Sequence, residues 1–198
     1  MKSNIKPKAS LRATILAGPI AAALAGLALT SNTAVATDGA WGVNSSGNWG
    51  DSTKWTGGNI ANGVGATADL SVSVIGSSNK TITMDTARTL GKVMLGASSR
   101  NLDIGIGSNI LTLDDTNGIA NPSGDNVVEI TYRAGSSRNG SIGVPIELRN
   151  NLLITNPDNT GNTGILISGG LSSSNGNLTI TNNSNLNSRT KFNSTVSD

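Results

Sequence analysis

The chain has no His and no Cys among its 198 residues. Ser-His-Asp and Cys-His catalysis and His/Cys zinc clusters are therefore excluded in their usual forms. Carboxylates remain, at Asp85, Asp103, Asp114, Asp115, Asp125, Glu129 and Glu147. Asp103 and Glu129 stand 26 positions apart, so a coil of that repeat would stack them on one outward face. Two stacked acids could bind Ca²⁺ or flank a glycosidic bond, as in polysaccharide-degrading β-helical enzymes. Solvated surface acids moderated by Lys or Arg give the same pattern. The expectation is a protein without catalytic residues and without a cofactor.

Asp114-Asp115-Thr116-Asn117-Gly118 begins like a calcium loop. An EF-hand with its glycine at 118 would need an oxygen ligand at Leu113, so that order fails. Asp114, Asp115 and Asp125 are left as weak metal candidates, with a long polar turn as the alternative and no metal expected. Gly105-Ile106-Gly107 does not extend to Gly-x-Gly-x-x-Gly, because position 110 is Ile, and nucleotide binding has no support.

All three tryptophans, Trp41, Trp49 and Trp55, fall within 15 residues. Exposed indole faces stack on pyranose rings, so a carbohydrate-binding platform is one expectation. The other is a folded cap, since the first coil of a stacked-repeat protein would otherwise expose its core.

The elements that would carry these groups are short strands. Asn151-Leu152-Leu153-Ile154-Thr155-Asn156 nearly recurs as Asn177-Leu178-Thr179-Ile180-Thr181-Asn182, 26 residues on. Both copies alternate apolar and polar residues, the period of a half-buried strand. Leu102-Asp103-Ile104 and Val128-Glu129-Ile130 keep the same spacing. Periods in this range mark stacked repeats. Further strands are expected at Asp69–Ile75, Thr81–Met84, Lys92–Leu95, Asn101–Ile106, Ile110–Leu113, Val127–Tyr132, Val144–Leu148 and Gly164–Ser168, joined by turns rich in Gly, Ser and Asn. The fold class is all-β. A parallel β-helix with a Trp-rich N-terminal cap leads, because Asn at strand ends can form hydrogen-bond ladders between coils. A β-sandwich is the alternative.

Residues 1–36 read as an export signal. Lys2, Lys6, Lys8 and Arg12 precede an uncharged run from Ala13 to Leu29, and Ala34-Val35-Ala36 gives a cleavage motif ending at Ala36. The run approaches membrane-spanning length, but Gly18-Pro19 interrupts it. No membrane span is expected after cleavage. The leader holds four of the 14 basic residues and none of the 12 acidic ones. The chain beyond the leader is therefore mildly acidic, which argues against a nucleic-acid partner. The expected domains are the signal at 1–36, the cap at 37–68 and coils at 69–198, without disulfides.

Trp41-x7-Trp49-x5-Trp55-Thr56-Gly57-Gly58, with Asn62-Gly63-Val64-Gly65-Ala66-Thr67-Ala68 after it, resembles the opening of large bacterial surface proteins that carry autotransporter-associated β-strand repeats. Thr89 to Gly96, Leu111 to Asp114, Val144 to Leu148 and Gly164 to Gly170 continue the resemblance. It implies an exported, non-enzymatic passenger region with a right-handed β-helix, displayed at the cell surface or secreted. The expected function is that of a structural or adhesive protein outside the cell, with extracellular polysaccharide or cell-surface components as candidate partners. Members usually continue into many glycine-rich repeats and often end in a barrel or sorting tail. This chain stops at Asp198, so a truncated opening or a short secreted version is expected, and membrane attachment is not carried over.

Overall fold

The computed structural model describes residues 35–71, 78–96, 101–105, 108–115, 126–136, 138–157, 164–174, 179–184, 189–192 and 196–197. The chain divides into two compact units, Met1–Asn32 and Thr33–Asp198. The first, with most of the expected export signal, lies outside the described residues, as do Asp125, Asn177 and Leu178. All the described strands belong to the second unit.

These strands line up on three faces, and every strand-to-strand pairing is parallel. The first face holds, in order, β1 (Gly39–Ala40), β3 (Thr67–Leu70), β6 (Lys92–Leu95), β9 (Val127–Tyr132), β12 (Asn151–Asn156) and β15 (Ile180–Ser184). The second holds β2 (Gly47–Asn48), β4 (Lys80–Thr83), β7 (Leu102–Ile104), β10 (Gly140–Ile142), β13 (Gly164–Ile167) and β16 (Arg189–Phe192). The third holds β5 (Arg88–Leu90), β8 (Leu111–Leu113), β11 (Ile146–Leu148), β14 (Leu171–Ser173) and β17 (Val196–Ser197). From β3 onward the chain visits the faces in turn and returns one level along the stack. This is a β-solenoid.

Alternation along each strand sends every second residue inward, and the inward residues stack on their own kind. On the second face Ile82, Ile104, Ile142 and Ile167 are register partners, all buried. On the third, Leu90, Leu113 and Leu148 do the same. On the first, Leu70 and Leu95 lead to Tyr132. Burying each such side chain contributes about 1.5–3 kcal/mol. The one Tyr needs room that its stack does not supply. Gly140 supplies it, since a Cβ there would sit 2.9 Å from Leu95 Cβ and 3.3 Å from the Tyr132 ring.

Asparagine ties the corners together. Asn101 N–H donates to Asn79 Oδ1 at 3.3 Å, and Asn139 N–H donates to Asn101 Oδ1 at 3.2 Å. Asn62, Asn150 and Asn151 accept in the same way from Thr89, Asp115 and Thr179. The amide oxygen thus replaces a carbonyl where the strand ladder turns away. The contact runs from side chain to backbone, whereas the sequence suggested stacked side-chain amides.

The expected period of 25 to 26 holds between several coils, as from Thr67 to Lys92, Gly140 to Ile165 and Leu171 to Val196, but the register corrects the pairs read at 26. Val127 pairs with Asn151, 24 residues on, while Lys92 pairs with Glu129, 37 residues on. Asp103 lies on the second face, against Thr81 and Ser141, and Glu129 lies on the first, against Lys92 and Leu153. The two acids therefore do not stack. The near-repeat also slides by two residues: Leu152 meets Ile180, and Thr155 meets Asn183 instead of Thr181. A slide of two keeps each side chain on the same side of the sheet, so alternation alone could not fix it. The slide keeps an apolar residue on Leu152 and sets Asn182 on Ile154.

Candidate functional site

The N-terminal end of the stack is closed by the segment between β2 and β3. Asp51 starts a 3-10 turn at Ser52–Lys54 by accepting from Thr53 N–H at 3.0 Å and Thr53 Oγ1 at 2.6 Å. The Thr53 side-chain hydrogen bond, then its backbone N–H and the charge of Lys54, hold the Asp51 carboxyl below the usual range. A second turn comes next, at Thr56–Gly58. Trp41 and Trp55 form an isolated antiparallel bridge, and so do Thr37 and Asn62. Among the described residues the third face has no strand at this level; the folded-back turns stand in its place.

All three indoles point inward. Trp49, Trp41 and Trp55 are 0%, 2% and 3% exposed. Trp55 meets Trp41 edge-on at 5.3 Å between ring centroids and Trp49 at 5.1 Å. The indole N–H groups donate to the Ser45, Ala61 and Trp49 carbonyls from Trp41, Trp49 and Trp55 respectively. Small inward residues make the space: Ala61, Ala66 and Ala68 are fully buried, and a Cβ on Gly39 would lie 2.8 Å from the Trp55 ring. Stacking on a sugar needs an open ring face, and this burial leaves none. Of the two expectations for Trp41, Trp49 and Trp55, this burial matches the cap. Asp85 fastens the cap to the next coil, accepting Gly50 N–H at 3.1 Å on both oxygens and pairing with Arg88 at 3.2 Å.

Outside the cap lie two adjoining clefts that share Ala40 and Asp69. One, of about 390 Å³, is bordered by Trp41, Val43, Asn44, Ser71 and Arg133. The other, of about 400 Å³, is bordered by Asp38, Thr56, Asn59, Thr67 and Met94. Asp69 Oδ1 accepts from both Ser71 N–H and Ser71 Oγ, and Asp38 Oδ1 accepts from Thr67 N–H at 2.7 Å. Arg133 Nη1 donates to the Ser71 carbonyl at 3.0 Å. The trough is therefore held at three points by backbone contacts. Sequence reasoning missed it because its residues come from five separate segments. The one local signal is the outward position of Asp69 in an alternating strand.

The remaining expected sites are dispersed. Asp114 and Asp115 come after β8 at a corner, where Asp115 N–H donates to Asn150 Oδ1 at 2.8 Å. Burial, then the charges of Asp114 and Glu129, push the Asp115 carboxyl above the usual range. Glu129 is paired with Lys92 at 2.6 Å across the first face. Among the described residues no three Asp, Glu, His or Cys gather as metal ligands. No described helix is long and apolar enough to cross a membrane. At the expected cleavage point, Ala36 packs on Gly63, where an added Cβ would come within 2.8 Å of the Ala36 Cα. Comparison with family models, with curated proteins and with solved structures found no match.

Proposed function

We propose that this chain is an exported, non-enzymatic structural protein whose β-solenoid presents a binding face outside the cell. The observation that carries the reading is where the bridged fold begins. Thr37, the residue after Ala34-Val35-Ala36, donates to the Asn62 carbonyl at 2.9 Å and accepts from Asn62 N–H at 3.0 Å. Cleavage after Ala36 would convert the Thr37 N–H into an ammonium still able to make that bond. The cap would give up the packing of Ala36 on Gly63 and the Thr37 Oγ1 bond to the Val35 carbonyl, and keep the Thr37–Asn62 bridge. The cysteine-free, ladder-stabilised body and the resemblance to passenger regions with autotransporter-associated repeats support the same reading.

Catalysis on polysaccharide finds no support, since the pair it would use, Asp103 and Glu129, is split between two faces. The test is mass spectrometry of the protein recovered outside expressing cells. A polypeptide beginning at Thr37 is expected. Protein that keeps Met1 and stays inside the cell would overturn the reading.

A further inference from the structure

We propose that the trough beside the cap binds a neutral oligosaccharide through Asp69 and Arg133. The proposal rests on the extracellular reading for where such a ligand is met, and on geometry for the rest. The trough, unlike the buried indoles, is open to solvent, and its two clefts share Ala40 and Asp69. An open depression with both polar and apolar walls suits a chain of sugar units better than a compact metabolite.

The chemistry of the walls narrows the ligand. Asp38 and Asp69 each commit Oδ1 to a backbone N–H, which fixes the carboxylate, and Oδ2 of each has no protein partner among the described residues. Arg133 spends one of its five N–H donors on the Ser71 carbonyl among the described residues, so its fork is oriented with donors to spare. Asn59 adds an amide with both capacities. Fixed acceptors and donors thus alternate with the small apolar surfaces of Ala40, Val43 and Met94. A pyranose ring presents the complement, vicinal hydroxyls that donate and accept around its edge and C–H patches on its faces.

Other ligand classes fit worse. Two carboxylates against one guanidinium repel nucleic acids and uronic-acid polymers. Both clefts are open rather than enclosed, which gives a lipid chain no closed apolar volume to fill. Exposure on both sides keeps the site wet, so binding should be weak and rapidly reversible.

The experiment is an NMR titration of the ¹⁵N-labelled folded protein with cellotetraose, chitotetraose, maltotetraose and mannotetraose, with tetragalacturonate as the anionic comparison. At least one neutral tetrasaccharide should move the amide signals of Gly42, Thr67, Asp69 and Ser71 saturably. Asp69→Asn keeps Oδ1 for Ser71 and exchanges the second oxygen for an amide. It should weaken binding at least about tenfold while the rest of the spectrum stays in place. Arg133→Gln should weaken it too, and Glu147→Gln on the third face should not. No saturable shift with any neutral probe, undiminished binding in Asp69→Asn, or a preference for tetragalacturonate would each overturn the proposal. None of these results changes the mass expected of the exported protein, so the two readings fail separately.

Discussion

The two ends of the described stack solve the same problem with different materials. At the N-terminal end, three indoles at most 3% exposed seal the core, and short β1 and β2 are overlaid by antiparallel bridges. In the last coil, Ile180 is only partly buried, Thr181, Asn182 and Asn183 are exposed, and Phe192 is 37% exposed. Between them, coils make do with Ile, Leu, Val, Met84 and one Tyr. A coil flanked on both sides needs only residues that match its neighbours. A coil covered on one side needs bulk that reaches across the opening, which is why the large aromatics gather at the cap.

Removing an aromatic from each end puts that contrast to its severest test. Trp49→Ala deletes a fully buried indole and its bond to the Ala61 carbonyl. It should cost about 3–5 kcal/mol, lowering the urea midpoint sharply. Phe192→Ala should cost under about 1 kcal/mol, and equal losses would dissolve the distinction between the ends. A smaller difference is expected from asparagine. Asn101→Ala removes the acceptor that holds Asn139 N–H in an inner coil and should cost about 1–2 kcal/mol. Asn183→Ala, exposed in the last coil, should stay within about 0.5 kcal/mol; thermal melts of both variants decide.

The smallest effect concerns charge at an inner corner. The folded state raises the Asp115 pKa above 3.8, so it binds that proton more tightly than the unfolded chain does. The favourable contribution is complete below about pH 3.8 and is lost as pH rises through the raised value. Asp115→Asn should therefore gain stability over the wild type near neutral pH, by under about 1 kcal/mol after solvent screening. In strong acid the two should converge. A urea midpoint that fell at neutral pH in the variant would contradict the assigned cause.

Much of the fold was legible because alternation is local. Lys92–Leu95 and Val127–Tyr132 are strands with the bounds expected from sequence. Gly140–Ile142, Leu171–Ser173 and Arg88–Leu90 escaped notice, being three residues long with too little alternation to show. Their strand geometry comes from the neighbours they pair with. Register was legible only to within a slide of two, since Leu152 can sit over Leu178 or Ile180 without turning a side chain outward. The cap was visible as a cluster of Trp, yet the burial of its faces depends on Gly39 and Ala68, residues that carry no signal of their own. The trough was least visible, because Asp38, Asn59, Asp69 and Arg133 become neighbours only after coiling.

The unequal spacing between register partners has a consequence in the statistics of a flexible chain. Closing a loop costs an entropy that grows only with the logarithm of its length, and a doubling adds about 0.6 kcal/mol. The 37 residues from Lys92 to Glu129 are therefore barely harder to close than the 24 from Val127 to Asn151. Corners can lengthen or shorten at almost no thermodynamic penalty, while the strands they join stay locked. Such a chain is free to drift in period over evolutionary time without ever losing its stack.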